Sequence, residues 1–238
     1  FRRSREDSDL VQRCLHKGIK LKQTFGAIVY HFTCTSSRGK DWFKNDNVEA
    51  QNRVKIQNQA DQIELKRFIR KWGGFNHGTE KINKYDIDLE IQNSSKLPPH
   101  IISNIEPLFS RVWIDDAAVS KIINEDISKE HELANKLLNF TDKQWEKTSK
   151  YHNLDNYSEI FLLQDDHILE YDVKLTIDGN TLENSDFEVI NQIHKIIENY
   201  DRGHYEYGNI KLSIYKKNTI NNTVCTNPDF DMNLLKIS

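Results

Sequence analysis

Segments with helical periodicity alternate with segments of strand character along most of this chain, which limits the fold to a mixed architecture of helices and strands. Runs rich in β-branched and aromatic residues predict strands at residues 85–91, 111–114, 159–163, 171–177 and 205–215. Apolar residues recur at helical spacing at residues 98–109, 117–127, 129–138, 142–151 and 185–200. This alternation predicts an α/β or α+β domain over residues 85–217.

The first 74 residues form a separate predicted unit with its own alternation of helix and strand. Acidic residues in the first turn favour a helix over residues 6–17, and Gly18 ends it. A β-branched and aromatic run at 25–34 predicts a buried strand, and residues 47–72 predict a second helix. We therefore divide the chain into a unit at 1–74, a linker at 75–84, the domain at 85–217 and a loosely ordered tail at 218–238.

Composition narrows the classes of partner. The 238 residues are 37% hydrophobic and 29% charged, and their net charge of −3 provides no basic field for nucleic acid. No apolar run approaches the roughly 18–20 residues of a membrane span, and no signal peptide is recognisable. Cys14, Cys34 and Cys225 are odd in number and widely spaced, which indicates free thiols in a reducing compartment. We predict a cytoplasmic protein without a nucleic-acid partner or membrane span.

The N-terminal unit also carries a spaced motif. It reads Glu-Asp-x-Asp-Leu, then an arginine, a glycine after the helix, and Val-Tyr-His at a strand end: Glu6, Asp7, Asp9, Leu10, Arg13, Gly18, Val29, Tyr30 and His31. This pattern resembles the C-terminal part of the catalytic domain of family 2 glycosyltransferases of GT-A fold. The resemblance covers residues 1–45 and extends less closely to the helix that ends at Trp72. It implies the C-terminal portion of a Rossmann-like GT-A domain, followed by the second α/β or α+β domain.

The resemblance implies an inverting transfer of a sugar from a nucleotide-diphosphate sugar to an acceptor hydroxyl, in glycan or polysaccharide biosynthesis. Asp7 matches the catalytic base of the family, and Glu6 matches a residue that helps to hold the acceptor. Asp9 lies two residues after Asp7, so on a helix the two side chains diverge by about 200°. We therefore interpret Asp9 as a structural carboxylate paired with Arg13 at i+4.

The family also needs a divalent metal, Mn²⁺ or Mg²⁺, to neutralise the leaving diphosphate. His31 matches a position where some members place a metal ligand. Arg38 and Lys40 flank Gly39 in the following loop and are candidates to bind the donor phosphates. A solvated basic turn explains this loop equally well.

The sequence departs from the family in one respect. The nucleotide-binding half of a GT-A domain, with its Asp-x-Asp motif, comes first in the chain, and nothing in these residues matches it. We therefore expect the 238 residues by themselves to lack the donor half and to be inactive. The competing hypothesis is a non-catalytic binding or interaction protein whose first element only resembles the motif. The 85–217 domain carries no readable motif; the segment 204–207 suits a sugar platform but is more typical of core.

Overall fold

A computed structural model of the chain describes residues 6–22, 48–74, 80–138, 157–163 and 171–220. The helices in these ranges are α1 Glu6–His16, α2 Val48–Trp72, α3 Pro99–Ile105, α4 Ala117–Leu138, α5 Asn184–Asn191 and α6 Ile193–Asn199, with short 3₁₀ turns at Ser94–Lys96 and Glu106–Leu108. The strands are β1 Ile87–Gln92, β2 Arg111–Ile114, β3 Glu159–Leu162, β4 Val173–Asp178, β5 Gly203–Tyr207 and β6 Ile210–Ile214.

The first helix begins and ends where its sequence predicts. Gly18 follows α1 with a φ of 72°, in the left-handed region that favours glycine. The amide of Gly18 donates to the carbonyl of Leu15, and the amide of Ile19 donates to that of Cys14, which together form a Schellman motif. The predicted second helix is also present as α2, and the two glycines at 73 and 74 follow it.

One mixed sheet organises residues 87–214, with the strand order β3-β2-β1-β4-β6-β5. The first four strands of that order are parallel, and β6 runs antiparallel to both β4 and β5. The α/β class predicted from the alternating pattern is therefore confirmed for this part of the chain.

One face of the sheet builds the core. Its buried apolar residues Leu89, Val112, Leu175 and Leu212 occupy paired positions on four strands and pack in one cluster with apolar residues of α3 to α6. The alternate residues of the same strands are mainly charged or polar and lie on the second face. The sheet is thus apolar on its helix-covered face and polar on the other.

The predicted strand over 205–215 is wrong as a single element, because the chain forms a hairpin there. Gly208 and Asn209 connect β5 to β6, and Gly208 has a φ of 55°, as the first central residue of a type II′ turn requires. Tyr205 and Tyr207 pack against the core, whereas the exposed Glu206 lies on the polar face.

Two helical regions, 185–200 and 117–138, are divided differently in the structure than the sequence predicts. The first region is two helices that meet at Gln192, whose ψ of 10° departs from helical geometry. With the axis broken there, the ring of His194 reaches the amide of Tyr85 and the carbonyl of Leu108. The second region is one continuous helix, α4, in which the Ser128 hydroxyl donates to the carbonyl of Asn124.

Several predictions lie outside the described residues: the strand at 25–34, the helix at 142–151 and most of the linker and tail. The first tail residues, 218–220, run beside 84–86, where the amide of Ile220 donates to the carbonyl of Lys84. The division into two units stays a prediction. No helix within the described ranges is long and apolar enough to cross a bilayer.

Candidate active site

Asp9 and Asp7 are the two carboxylates of the acidic motif whose burial the structure describes, and Asp9 is the buried one. It accepts hydrogen bonds from Arg13 Nε at 2.7 Å, from Lys71 Nζ at 2.5 Å and from Trp72 Nε1 at 2.9 Å. The predicted i,i+4 pair with Arg13 is present. The two further donors come from the last residues of α2, so Asp9 joins the two helices.

The pKa of Asp9 reflects two opposing influences. Burial raises the pKa because it penalises the charged form, but the positive charges of Lys71 and Arg13 outweigh it. The pKa therefore lies below its ordinary value, and Asp9 is ionised wherever the protein is folded near neutral pH. Three protein donors hold this buried carboxylate, so it is not accessible to a substrate hydroxyl.

Asp7 differs from Asp9 in its access to solvent. It lies one position into the same helix and is exposed, whereas Asp9 is 7% exposed. The helical angle of about 200° between them explains why one points toward α2 and the other toward water. Glu6 is the first residue of α1. Of these two aspartates, Asp7 is therefore the one that a ligand in solution can reach.

α1 is also attached to the segment that leads into β1. The Gln12 amide nitrogen donates to the carbonyl of Glu80, and its oxygen accepts from the amide of Ile82. His16 Nε2 lies 2.8 Å from the carbonyl of Ile82, and its ring stacks on Trp72 with centroids 5.2 Å apart. Burial lowers the pKa of His16, the carbonyl of Ile82 opposes this shift, and Lys81 adds to it. α1 is thus held along one face, by the end of α2 and by the segment 80–82.

A second buried ion cluster ties α2 to the sheet domain. Arg70 donates to Glu106 Oε2 through Nη2 at 2.6 Å and to Glu130 Oε1 through Nη1 at 2.7 Å. Lys66 also donates to Glu130, and the amide of Ser158 donates to Glu106. Arg70 and Glu106 exclude water almost entirely, since their side chains are 1% and 0% exposed. Burial lowers the pKa of Arg70, but the charges of Glu106 and Glu130 outweigh this influence and raise the pKa above its ordinary value. The guanidinium therefore stays charged.

Next to this cluster, Lys84 and His194 are fully buried. Lys84 Nζ donates to the carbonyl of Arg70. Burial lowers the pKa of Lys84 to about 8, against the opposing influence of the Glu106 charge. Burial and the charge of Lys84 lower the pKa of His194 to about 3, so its ring is neutral. Both groups are buried between α2, α6 and the segment that leads into β1.

The predicted metal and phosphate residues, His31, Arg38 and Lys40, lie outside the described residues. Among the residues that are described, no three His, Cys, Asp or Glu side chains are grouped so as to hold a metal ion. The metal and its identity as Mn²⁺ or Mg²⁺ therefore stay predictions.

Sequence reasoning missed the partners that immobilise α1: Lys71, Trp72 and Gln12. Trp72 was predicted only as an apolar residue of a helix face, and its indole N–H is the group that binds Asp9. Sixty-two residues separate Asp9 from Lys71, and no periodicity within either helix pairs them. A lysine and a tryptophan at a helix end before two glycines gave the only signal, and it is a weak one.

Comparisons with protein-family models, with characterised proteins and with solved structures find no match for this chain.

Proposed function

We propose that this chain belongs to a cytoplasmic glycosyltransferase of GT-A fold, similar to family 2, that transfers a sugar with inversion from a nucleotide-diphosphate sugar to an acceptor hydroxyl. The observation that carries the proposal is the difference in burial between the two aspartates of the acidic motif. Asp9 is buried and bound by Arg13, Lys71 and Trp72, while Asp7 faces water on a helix that α2 and the segment 80–82 hold in place. This is the arrangement that a general base next to a structural carboxylate requires.

In the proposed reaction, the Asp7 carboxylate accepts the proton of the acceptor hydroxyl. The hydroxyl oxygen forms the new bond to the anomeric carbon, and the bond from that carbon to the diphosphate oxygen breaks, with its electron pair leaving on the diphosphate. Glu6 helps to hold the acceptor, and Arg38 and Lys40 bind the donor phosphates. His31 is the proposed metal ligand, and a divalent metal held there would neutralise the charge of the leaving diphosphate.

The test is a comparison of Asp7→Asn with wild type in the full-length natural protein. An amide cannot take the acceptor proton, so turnover falls by about 10²- to 10⁴-fold while the affinity for the nucleotide sugar is unchanged. Glu188→Gln, which removes an exposed carboxylate from α5, is the matched control and leaves both quantities unchanged. Full turnover in a folded Asp7→Asn protein would contradict the assignment, and transfer by no nucleotide sugar at all would favour a non-catalytic binding protein.

A further inference from the structure

A hollow of about 460 Å³ lies on the polar face of the sheet, and no residue of α1 lines it. It is lined by side chains of four strands and by the turns at their ends. Six of its lining residues on the strands have polar or charged side chains: Glu90, Gln92, Thr176, Asp178, Glu206 and Lys211. None of them belongs to the candidate active site.

The strand register arranges these side chains in a row. Glu90 pairs with Thr176, Thr176 pairs with Lys211, and Lys211 pairs with Glu206, so one polar residue comes from each of β1, β4, β6 and β5. Paired residues of a sheet point to the same face. The row therefore spans three strand spacings, about 14 Å. Such a row can contact an extended ligand at several points along its length.

The strand order independently marks this part of the sheet. From β1 the chain winds outward through β2 to β3 and then returns to the other side of β1 as β4. In open parallel sheets, ligands bind outside the carboxyl ends of the two strands where the winding changes direction. Gln92 and Asp178 are the last residues of β1 and β4, pair with each other, and both line the hollow. The cavity and the topology thus point to the same place.

One rim of the hollow is held in place by hydrogen bonds. The Asn209 amide, in the β5–β6 turn, donates to the carbonyl of Thr181 at 2.6 Å and to Asp186 Oδ2 at 3.2 Å. These bonds connect the hairpin turn to the turn between β4 and α5. The hollow is therefore formed before any ligand arrives, which reduces the entropy lost on binding.

The lining chemistry selects the class of ligand. Anions are disfavoured, because three carboxylates line the hollow and Lys211 is the sole cation among its described lining residues. Glu90 is already neutralised by Lys174 and accepts from the Gln92 amide. The lining combines amide, hydroxyl and ammonium donors with carboxylate acceptors, and each sugar hydroxyl both donates and accepts. We propose that this hollow binds a neutral oligosaccharide, the acceptor glycan of the transfer; only its role as acceptor rests on the proposed function.

The experiment measures saccharide binding by the full-length protein without any nucleotide sugar. Labelled protein is applied to an array of neutral gluco-, galacto-, manno- and N-acetylglucosamine oligosaccharides, and hits are titrated by calorimetry. The double variant Glu206→Ala/Lys211→Ala removes two exposed groups of the row, and we expect it to weaken binding at least about tenfold. Glu188→Ala, on a helix that packs against the opposite face, is the control and leaves affinity unchanged. Changes in the NMR chemical shifts of the backbone amides of Gln92 and Thr176, followed as saccharide is added, locate the bound sugar without any substitution.

Each result decides the proposal. The proposal would be overturned if the protein bound no neutral saccharide, or if the double variant bound saccharide with unchanged affinity. It would also be overturned if the polycation spermine, titrated in the same way, bound more strongly at the same residues. Saccharide binding in a protein that transfers no sugar would overturn the proposed function and leave this site standing. Transfer with an acceptor KM that the double variant does not change would overturn the site alone.

Discussion

The end of α2 and the polar face of the sheet both pair carboxylates with cations, but the two regions differ in their access to water. In the α2 cluster, the Arg70 and Glu106 side chains are at most 1% exposed. On the sheet face, Lys174 is 21% exposed, and it pairs with Glu90. A buried pair loses its hydration, and only its protein partners compensate for that loss, whereas a partly exposed cation keeps water as an alternative partner.

This difference indicates different roles for the two regions. The cluster around Arg70 at the end of α2 is satisfied by protein partners and fixes α2 on the sheet domain. The sheet face keeps polar groups accessible around the hollow, where a ligand can replace water. Substitutions in the two regions should therefore change the free energy of unfolding by different amounts.

The largest effect is expected for Arg70→Met. The substitution leaves Glu106 charged and buried without its main partner, so we expect a loss of about 3–5 kcal/mol in the free energy of unfolding, measured by urea denaturation. Adding Glu106→Gln recovers part of the loss, because a neutral amide can still accept from the amide of Ser158. A loss below 1 kcal/mol for the single variant would show that this cluster is no more sensitive than a surface pair.

Asp9→Asn and Asp7→Asn form the next pair, because the same change is made two residues apart. Loss of the Asp9 charge weakens three hydrogen bonds and leaves Lys71 buried, so we expect about 2–3 kcal/mol of destabilisation. Asp7 is exposed, and its substitution changes stability by less than about 0.5 kcal/mol. Thermal and urea unfolding of both variants measure the difference, and equal losses would remove the distinction between structural and exposed carboxylate.

Because of Lys84, we expect the free energy of unfolding to change with pH in the alkaline range. The pKa is about 8 in the folded protein and near 10.5 in the unfolded chain, so between these values the unfolded state binds more protons and stability rises with pH. Relative to Lys84→Met, we expect wild type to gain about 2 kcal/mol between pH 8 and 10. The neighbours Arg70, Glu106, Asp86 and His194 are common to both proteins and cancel in the difference. Parallel pH profiles would show that the buried lysine does not titrate in this window.

The smallest effect is expected on the sheet face. Lys174→Met removes the cation beside Glu90, whose side chain is 10% exposed; the Gln92 amide still donates to this carboxylate, so we expect a cost of about 1 kcal/mol. Sodium chloride at high concentration screens this pair, so the difference from wild type narrows, while the loss in Arg70→Met persists. A salt-independent cost above 3 kcal/mol for Lys174→Met would place the sheet face in the same class as the α2 cluster.

Local sequence patterns predicted much of the secondary structure. The limits of α1 follow from its acidic first turn and Gly18, and the i,i+4 pair of Asp9 with Arg13 follows from helical spacing. Strand β2 has the predicted bounds. The hairpin was missed although Gly208 and Asn209 between two alternating runs are a hairpin signal. These features depend on neighbours a few residues apart, which is why sequence can predict them.

Sequence by itself determined the α/β class, the first helix and its capping glycine, and the separation of Asp7 from Asp9 around that helix. Only the tertiary structure decided that Lys71 and Trp72 complete the Asp9 site, because they lie more than sixty residues away in sequence. It also decided the strand order that brings β1 beside β4 and forms the hollow. The physical reason is range: backbone preferences and side-chain periodicity act within one element, whereas burial and ion pairing depend on which elements pack together.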